Sequence, residues 1–475
     1  MSKKREMPIV VATLPLVIMI IGMGFTIIKY EGAPHIPLLL GAFSASVIAL
    51  IYGYSWDEIE QSYYTGIHKS LPAIVILILV GLIIGSWIGG GVVGSLIYYG
   101  LKLISPGFFL VSIMLLCTIV ALSIGSSWST MATIGVAGMG IGISMGIPEP
   151  MIAGAIISGA YMGDKMSPLS DTTNLASGIA NVNLFEHIKH MLYTTVPAYI
   201  FAFIVFAVLG RQFSVNAFEY GKIEGIMESL QNHFLISPWL LLVPVAVIVL
   251  VLFKIPALPS LSIGVILGFL CQIAIQGDAI GTAVISLYDG YTIETENQLI
   301  SDLLNRGGLS SMMYTISLTI VAMIFGGVLE GTGILKRMMD GMVDLVRSGR
   351  ALIPTTVLTS FSTNVLMAEQ YISIIIPARM YADSYTEKGL HRKNLSRAVE
   401  DGGTVTSVLV PWNTGGIFVA GTLGVETLSY VPYAFFNLAT PIISIIFALI
   451  GFSIVKTKMQ DKKNHAPNDG MDTSG

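Results

Sequence analysis

Residues 163–174 read GDKMSPLSDTTN. Within this stretch stand two carboxylates (Asp164, Asp171), one amine (Lys165), the hydroxyls of Ser167, Ser170, Thr172 and Thr173, and the amide of Asn174. A hard cation such as Na+ takes about six oxygens, from carboxylates, hydroxyls, amide carbonyls and freed backbone carbonyls, by analogy with harder divalent ions. Pro168 supplies the last kind: it has no N–H, so the carbonyl of Asp164, four residues back, loses its helical partner. The expected Na+ ligands are Asp164, Asp171 and Asn174. Lys165 is the obvious partner of Asp164, and burial disfavours the charged form of both, which makes a proton-linked site. Loss of that proton on cation binding is the simplest coupling of Na+ to H+. A blander reading makes the stretch a solvated loop between spans at 149–162 and 175–195, but the second span would then bury Asn181, Glu186, His187 and Lys189.

Three further clusters have similar chemistry. SIGSSWST (123–130) presents Ser123, Ser126, Ser127, Ser129 and Thr130, with Gly125 to turn the chain. STNVLMAEQ (362–370) presents Ser362, Thr363, Asn364, Glu369 and Gln370. In EDGGTVTSVLVPWNTGG (400–416), Pro411 frees the carbonyl of Ser407, and Asn413 and Thr414 follow. A lone Ser or Thr in a helix usually bonds back to its own backbone; clusters beside Gly are more ambiguous. Glu369 is more informative, because a buried carboxylate is costly. Glu400 and Asp401 read as ordinary interfacial charges at the inner end of a span, and Glu330 ends another at a Gly-rich turn. Trp87, Trp128 and Trp412 either line a pocket or pack.

The elements that must position these groups are membrane helices. The chain has 475 residues, 53% hydrophobic and only 11% charged, against about 25% charged in soluble domains. The net charge of −4 carries no signature of nucleic acid. Cys117 and Cys271 lie in apolar runs and read as small core hydrophobes. The N-terminal apolar run reads as a retained span. Full crossings are expected near 8–30, 35–54, 72–89, 151–180, 190–210, 237–253, 257–276, 309–330, 397–424 and 431–454. Segments 107–147 and 351–383 read as re-entrant hairpins. The second has arms of roughly 11 residues, too short to cross, whereas the first has arms long enough for two crossings.

With the N-terminus inside, roughly 19 of the Lys and Arg residues fall on inside segments and about 5 on outside ones. The inside set includes Lys3, Lys4, Arg5, Lys336, Arg337, Arg347, Arg350, Lys388, Arg392, Lys393, Lys456, Lys458, Lys462 and Lys463. Outside loops are acidic (Glu219, Glu224, Glu228, Glu294, Glu296, Asp302). Only Lys165 is left inside a span. Residues 333–348 form an amphipathic segment expected in the inner interface. Ile334, Leu335, Met338, Met339, Met342, Leu345 and Val346 share its apolar face, and Lys336, Arg337, Asp340, Asp344 and Arg347 the other.

The chain also matches itself weakly at an offset near 241 residues. Gly90 pairs with Gly331, Gly100 with Gly341, Thr118 with Thr359, Ser123 with Asn364, and SPLSDTTN with SVLVPWNT. Each half has five crossings, an odd number, so the second is inverted. The expected fold is an all-α polytopic membrane protein of about 10 transmembrane helices plus two re-entrant hairpins, in two inverted repeats with broken helices. The first repeat covers 1–210, an outside linker 211–236, the second repeat 237–455 and a cytoplasmic tail 456–475.

GDKMSPLSDTTN, the hairpin GSSWST and the later PWNTGG together resemble the NhaC family of Na+/H+ antiporters, over nearly the whole chain. The resemblance implies inverted repeats, re-entrant hairpins, broken helices and cation/proton exchange across a bacterial cytoplasmic membrane. It carries over Asp164, Asp171, Thr172, Thr173 and Asn174, which match the motif. Some relatives are thought to exchange organic acids such as malate for lactate.

The leading expectation is Na+/H+ antiport by alternating access, with both termini inside and no cofactor beyond the transported Na+ and H+. The alternative is a Na+- or H+-coupled carrier or exchanger of a small organic anion (malate/lactate type) or amino acid. An anion clamp would want an intramembrane Arg, and none is apparent; Arg379 is the nearest. An intramembrane enzyme is disfavoured: there is no HExxH and no Ser–His pair within a span, since His187 and His190 read as interfacial. A channel fits less well than a carrier. Lipid-facing surfaces leave room for a homodimer that no motif requires.

Overall fold

The computed structural model describes residues 5–457, apart from 31, 104, 214–216, 254, 294–300, 302, 303, 306 and 344–348. Lys3, Lys4, Glu294, Glu296, Asp302, Asp344, Leu345, Val346, Arg347, Lys458, Lys462, Lys463 and most of the tail therefore lie outside the described residues. Among the described residues the chain is helical, with one isolated antiparallel bridge, Leu390 to Lys456.

The chain opens with α1 (Ile9–Met23) and α2 (His35–Ile51), which lie against each other. α3 (Trp56–Gly89) runs for 34 residues. It starts at a capping box in which the Ser55 side chain and the Glu58 carboxylate each satisfy the other's free backbone N–H. α4 (Val92–Leu103) and α5 (Pro106–Ile124) follow. Gly125, at φ 74°, ends α5 in the left-handed conformation that a glycine adopts without strain. The chain restarts as α6 (Ser127–Thr130) and passes through a π-helical turn, Met131–Gly135, into α7 (Val136–Ser144).

α8 (Glu149–Met166) is rich in Ala and Gly on the face toward α5. A Cβ on Gly159 would lie 2.1 Å from the Met114 carbonyl, and one on Gly163 2.3 Å from the Thr118 carbonyl. Backbone therefore packs on backbone there, as small-residue helix pairs do in membranes. The chain breaks at 167–170 and resumes as α9 (Asp171–Ile179), capped by the Ser170 hydroxyl. α10 (Leu184–Gly210) follows.

Beyond it come α11 (Ala217–His233), α12 (Leu242–Leu252), α13 (Ala257–Ala274), α14 (Ile280–Asp289), α15 (Gly308–Ser311) and α16 (Met313–Gly331). α16 packs along α3. α17 (Ile334–Val343) buries Ile334 and Leu335 and exposes Lys336 and Arg337, as the amphipathic pattern predicts. α18 (Gly349–Met367) and α19 (Gln370–Glu387) meet at Ala368, which has φ 54°. α20 (Lys393–Val399) leads into a π-helical turn, Glu400–Thr404, and a short 3-10 turn, Ser407–Leu409. The chain then restarts as α21 (Thr414–Leu423), α22 (Thr427–Tyr430) and α23 (Phe435–Ile450).

Five helical stretches among the described residues are long and apolar enough to cross a bilayer unaided: Ile9–Thr26, Trp56–Gly89, Pro106–Ser123, Leu184–Phe213 and Met313–Gly331. Two more arise if each of two bent pairs counts as one span. Pro106–Ser123 is thus a full-length arm of the first hairpin. The second hairpin corrects the sequence expectation. Its arms have 19 and 18 residues, about 27–29 Å each at 1.5 Å per residue, longer than the roughly 11 residues expected, although neither is among the stretches apolar enough to cross unaided. Their hydroxyls disguised the length: Thr355, Thr356 and Thr363 bond back to the carbonyls of Ala351, Leu352 and Thr359 within one continuous helix.

Candidate functional site

The break after α8 faces the tip of the first hairpin. Asp164 is 4% exposed, and its Oδ2 accepts the Ser127 hydroxyl at 2.6 Å and the Ser127 N–H at 3.1 Å. The other carboxylate oxygen, Oδ1, is buried without a hydrogen-bond partner. Ser126 does not reach Asp164; its hydroxyl caps α6 by accepting the Ser129 N–H. Thr130 bonds back to the Ser126 carbonyl. Ser129 is buried.

The carbonyl that Pro168 was expected to free is not free. Asp164 O accepts the Ser167 N–H at 3.0 Å, so the helix end closes on itself. Ser407 O likewise accepts the Val410 N–H at 3.4 Å. The next carbonyl, Lys165 O, takes the Thr173 hydroxyl at 3.0 Å, which ties α9 back onto α8. Ser170 and Thr172 share a hydroxyl contact at 3.1 Å. Ser167 is fully buried and its hydroxyl accepts the Leu169 N–H.

Asp171 and Asn174 take different roles from Asp164. Both are exposed. Asp171 accepts the Tyr371 hydroxyl at 2.5 Å, a link from α9 to α19, and the Thr172 N–H at 2.8 Å. Asn174 donates its amide to the carbonyls of Pro168 and Ser170 and holds the break in shape.

The second tip and the second broken helix form a matching contact. Asn413 donates to the backbone and side-chain oxygens of Asn364 at 3.1 and 3.0 Å, and its own oxygen caps α21. Asn364 donates to Gly403 O and Thr406 Oγ1. Ser407 donates to Gln370 Oε1 at 2.9 Å. The Thr414 N–H donates to the Ala368 carbonyl, while the Thr414 hydroxyl is buried and unpaired. Glu369 is 6% exposed and caps α19 through the Ile372 N–H. The tryptophans pack: Trp87 donates to Gly264 O, Trp412 to Val365 O, and Trp128 stacks on Phe418 at 4.2 Å.

Several charges lie elsewhere than the sequence suggests. The Lys165 ammonium pairs with Asp401, not with Asp164. Asp401 also accepts the Thr194 hydroxyl at 3.2 Å and has the Arg397 guanidinium 4.0 Å from its second oxygen. Lys165, Arg397, Glu400 and Asp401 are all 0% exposed. Glu400 and Asp401 are therefore not interfacial charges, and a buried arginine does exist. His187 and His190 are buried too, with His187 Nδ1 2.8 Å from the Ser396 hydroxyl. By contrast, Glu330 is partly exposed and bonds to Lys69 at 2.6 Å. The signal for the buried group was present: Arg397, Glu400 and Asp401 recur at i, i+3 and i+4, one helical face inside a predicted span.

The model of the Na+/H+ antiporter family matches residues 5–160 and 159–452. The Na(+)/H(+) antiporter NhaC of Alkalihalophilus pseudofirmus is 38% identical over 457 residues, 96% of this chain and 98% of that one. The Malate-2H(+)/Na(+)-lactate antiporter of Bacillus subtilis is 39% identical, covering 89% of this chain and 91% of its own. The Arginine/ornithine antiporter ArcD of Halobacterium salinarum is 37% identical, covering 98% and 95%. A family model that takes in almost every described helix, together with relatives matched end to end, makes this chain a member of the Na+/H+ antiporter family of transporters.

Proposed function

We propose that this antiporter exchanges Na+ for H+ by alternating access, with the cation held at Asp164 between the first hairpin tip and the first broken helix. The observation that carries this reading is the Asp164 carboxylate, buried with one oxygen fixed by Ser127 and the other unpaired. A buried carboxylate oxygen without a donor is costly, and a cation removes that cost. The Ser127 hydroxyl stands beside it, and Asp171 adds a second negative charge within electrostatic reach.

Order within the chain supports two inverted repeats, 1–210 and 237–455, separated by a linker at 211–236 and followed by a tail at 456–475. α3, α4, the α5–α6 tip and the α8–α9 break recur as α16, α17, the α18–α19 tip and the break before α21. Residues from the two halves meet at Lys165–Asp401, Asp171–Tyr371 and Tyr161–Ser407. Broken helices of two repeats meeting at one site form the architecture in which one repeat rocks against the other. The protein belongs in a bacterial cytoplasmic membrane with both termini inside, and its lipid-facing surfaces leave room for a homodimer.

A second reading, coupled exchange of a small organic anion or amino acid, draws support from Arg397, whose Nε and Nη2 have no hydrogen-bond partner. The Bacillus subtilis relative named for malate and lactate points the same way. One experiment separates the two. Proteoliposomes with a preset proton gradient and an internal pH dye receive Na+ alone, then Na+ with malate, lactate or amino acids. Collapse by Na+ alone, lost in Asp164→Asn, supports the first reading. A response only with an organic solute refutes it in favour of the second.

A further inference from the structure

The cation reading leaves the proton without an assigned carrier. Five ionisable side chains are buried where α8 meets α20 and the turn that follows it: Asp164, Lys165, Arg397, Glu400 and Asp401. If each is ionised, two positive and three negative charges leave one negative charge over. Burying an uncompensated charge is expensive, so the cluster is balanced when it holds one monovalent cation or one proton.

The hydrogen bonds distinguish the three acids. Asp164 accepts two donors from Ser127, and Asp401 accepts Lys165 and Thr194. Those donors stabilise the ionised forms. Glu400 is fully buried and neither of its oxygens has a hydrogen-bond partner. Thr404, one turn further on, interacts with it and has an unpaired hydroxyl. Of the three, Glu400 gains most from taking a proton, because the acid form removes the surplus charge and supplies an O–H.

We propose, resting on the assignment of the cation to Asp164, that Glu400 carries the transported proton. Cation entry at Asp164 is balanced by breaking the Glu400 O–H bond, with the proton leaving to water. Reprotonation of Glu400 restores neutrality and releases the cation. The two sites are coupled through charge, since Glu400 lies within electrostatic reach of both Asp164 and Lys165.

The surrounding groups support the assignment. α8 brings Asp164 and Lys165, α10 brings His187 and His190, and α19 brings Tyr385 beside Arg397. α9 brings Asp171 at its exposed end, while α18 and α23 bring the buried polar groups Ser360, Asn437 and Ser444. Lys165 and Asp401 are already paired, so they form a fixed background against which one proton can move.

The test uses the full chain in proteoliposomes and two reactions: 22Na+ uptake driven by a proton gradient, and 22Na+/Na+ exchange without one. Glu400→Gln, fixed in the neutral form that releases the cation, should lose gradient-driven uptake to the level of protein-free liposomes and keep only a Na+/Na+ exchange that needs more Na+ and no longer varies with pH. Glu400→Asp should keep both, with the pH dependence of the driven reaction displaced. Asp164→Asn should lose both reactions. Gradient-driven uptake surviving in Glu400→Gln would overturn the proposal, and so would Na+/Na+ exchange that keeps the wild-type pH dependence or that is absent even at saturating Na+, the last placing Glu400 in the cation site. If Glu400→Gln is not recovered as a monodisperse protein, Glu400→Asp decides: an unchanged pH profile overturns the assignment. Failure of the wild type in both reactions would instead overturn the cation reading on which it rests.

Discussion

Asp401→Asn removes the negative partner of two buried cations at once. Lys165 and Asp401 are both 0% exposed, so solvent does not screen their attraction, and Arg397 is 4.0 Å from the same carboxylate. Breaking a buried pair from one side costs about 3–5 kcal/mol, because the remaining charge stays buried. Asp401→Asn strands Lys165 and Arg397 and belongs at the upper end of that range. Lys165→Met leaves Asp401 with Arg397 and the Thr194 hydroxyl, which places it at the lower end. The double variant leaves only Arg397 unpaired and should recover roughly 2 kcal/mol relative to the sum of the single changes. Membrane proteins of this size unfold irreversibly in detergent, so the readout is the midpoint of a heating series scored by the monodisperse fraction. The expected order of stability, from lowest, is the double variant, Asp401→Asn, Lys165→Met, then wild type, with the double variant falling short of the summed single losses. A midpoint of the double variant lowered by the full sum of the two single shifts would show that the two groups do not interact and would refute the argument.

Three other changes test separate parts of the structure. Ser127→Ala removes a hydroxyl at 2.6 Å from Asp164 but keeps the backbone N–H; the apparent KM for Na+ should rise by about tenfold or more, a hydrogen bond to a charged group being worth about 1.5–3 kcal/mol, and an unchanged KM would remove Ser127 from the site. Gly159→Ala would drive a Cβ to 2.1 Å from the Met114 carbonyl, so the α5–α8 pair should lose about 1–3 kcal/mol, seen as a lower yield of monodisperse protein. Lys69→Ala breaks a pair whose side chains are 34% and 37% exposed; it should change the thermal midpoint little, since exposed ion pairs contribute about 0–1 kcal/mol, and a large drop would show that the pair matters more than its exposure implies.

The break at 167–170 was legible because its causes are local: a proline without an N–H and a run of side chains that cap helices. The tip at Gly125 was legible for the same reason. The length of the second hairpin's arms was not, because a threonine bonded to its own helix looks polar in sequence and is satisfied in structure. The partner of Lys165 was not legible either. Asp401 lies 236 residues away, and only the fold brings the two together, so adjacency to Asp164 was the misleading signal. Arg397, Glu400 and Asp401 share a helical face, but sequence alone does not say whether that face meets water or protein.

α3 has a consequence for the membrane that holds it. Its 34 residues span about 51 Å, against about 30 Å of hydrocarbon. The apolar part, from Leu71 to Gly89, accounts for about 28 Å at 1.5 Å per residue, and the segment from Trp56 to Ser70 carries the acids, tyrosines and Lys69. Trp56 and Tyr64 are exposed there, as side chains that seat at a headgroup boundary are. The helix thus acts as a depth gauge: its apolar length is close to one bilayer thickness. In lipids of longer acyl chain the bilayer must thin around the protein or α3 must stand more upright. The turnover of reconstituted protein should accordingly vary with acyl-chain length even when headgroup composition is held constant.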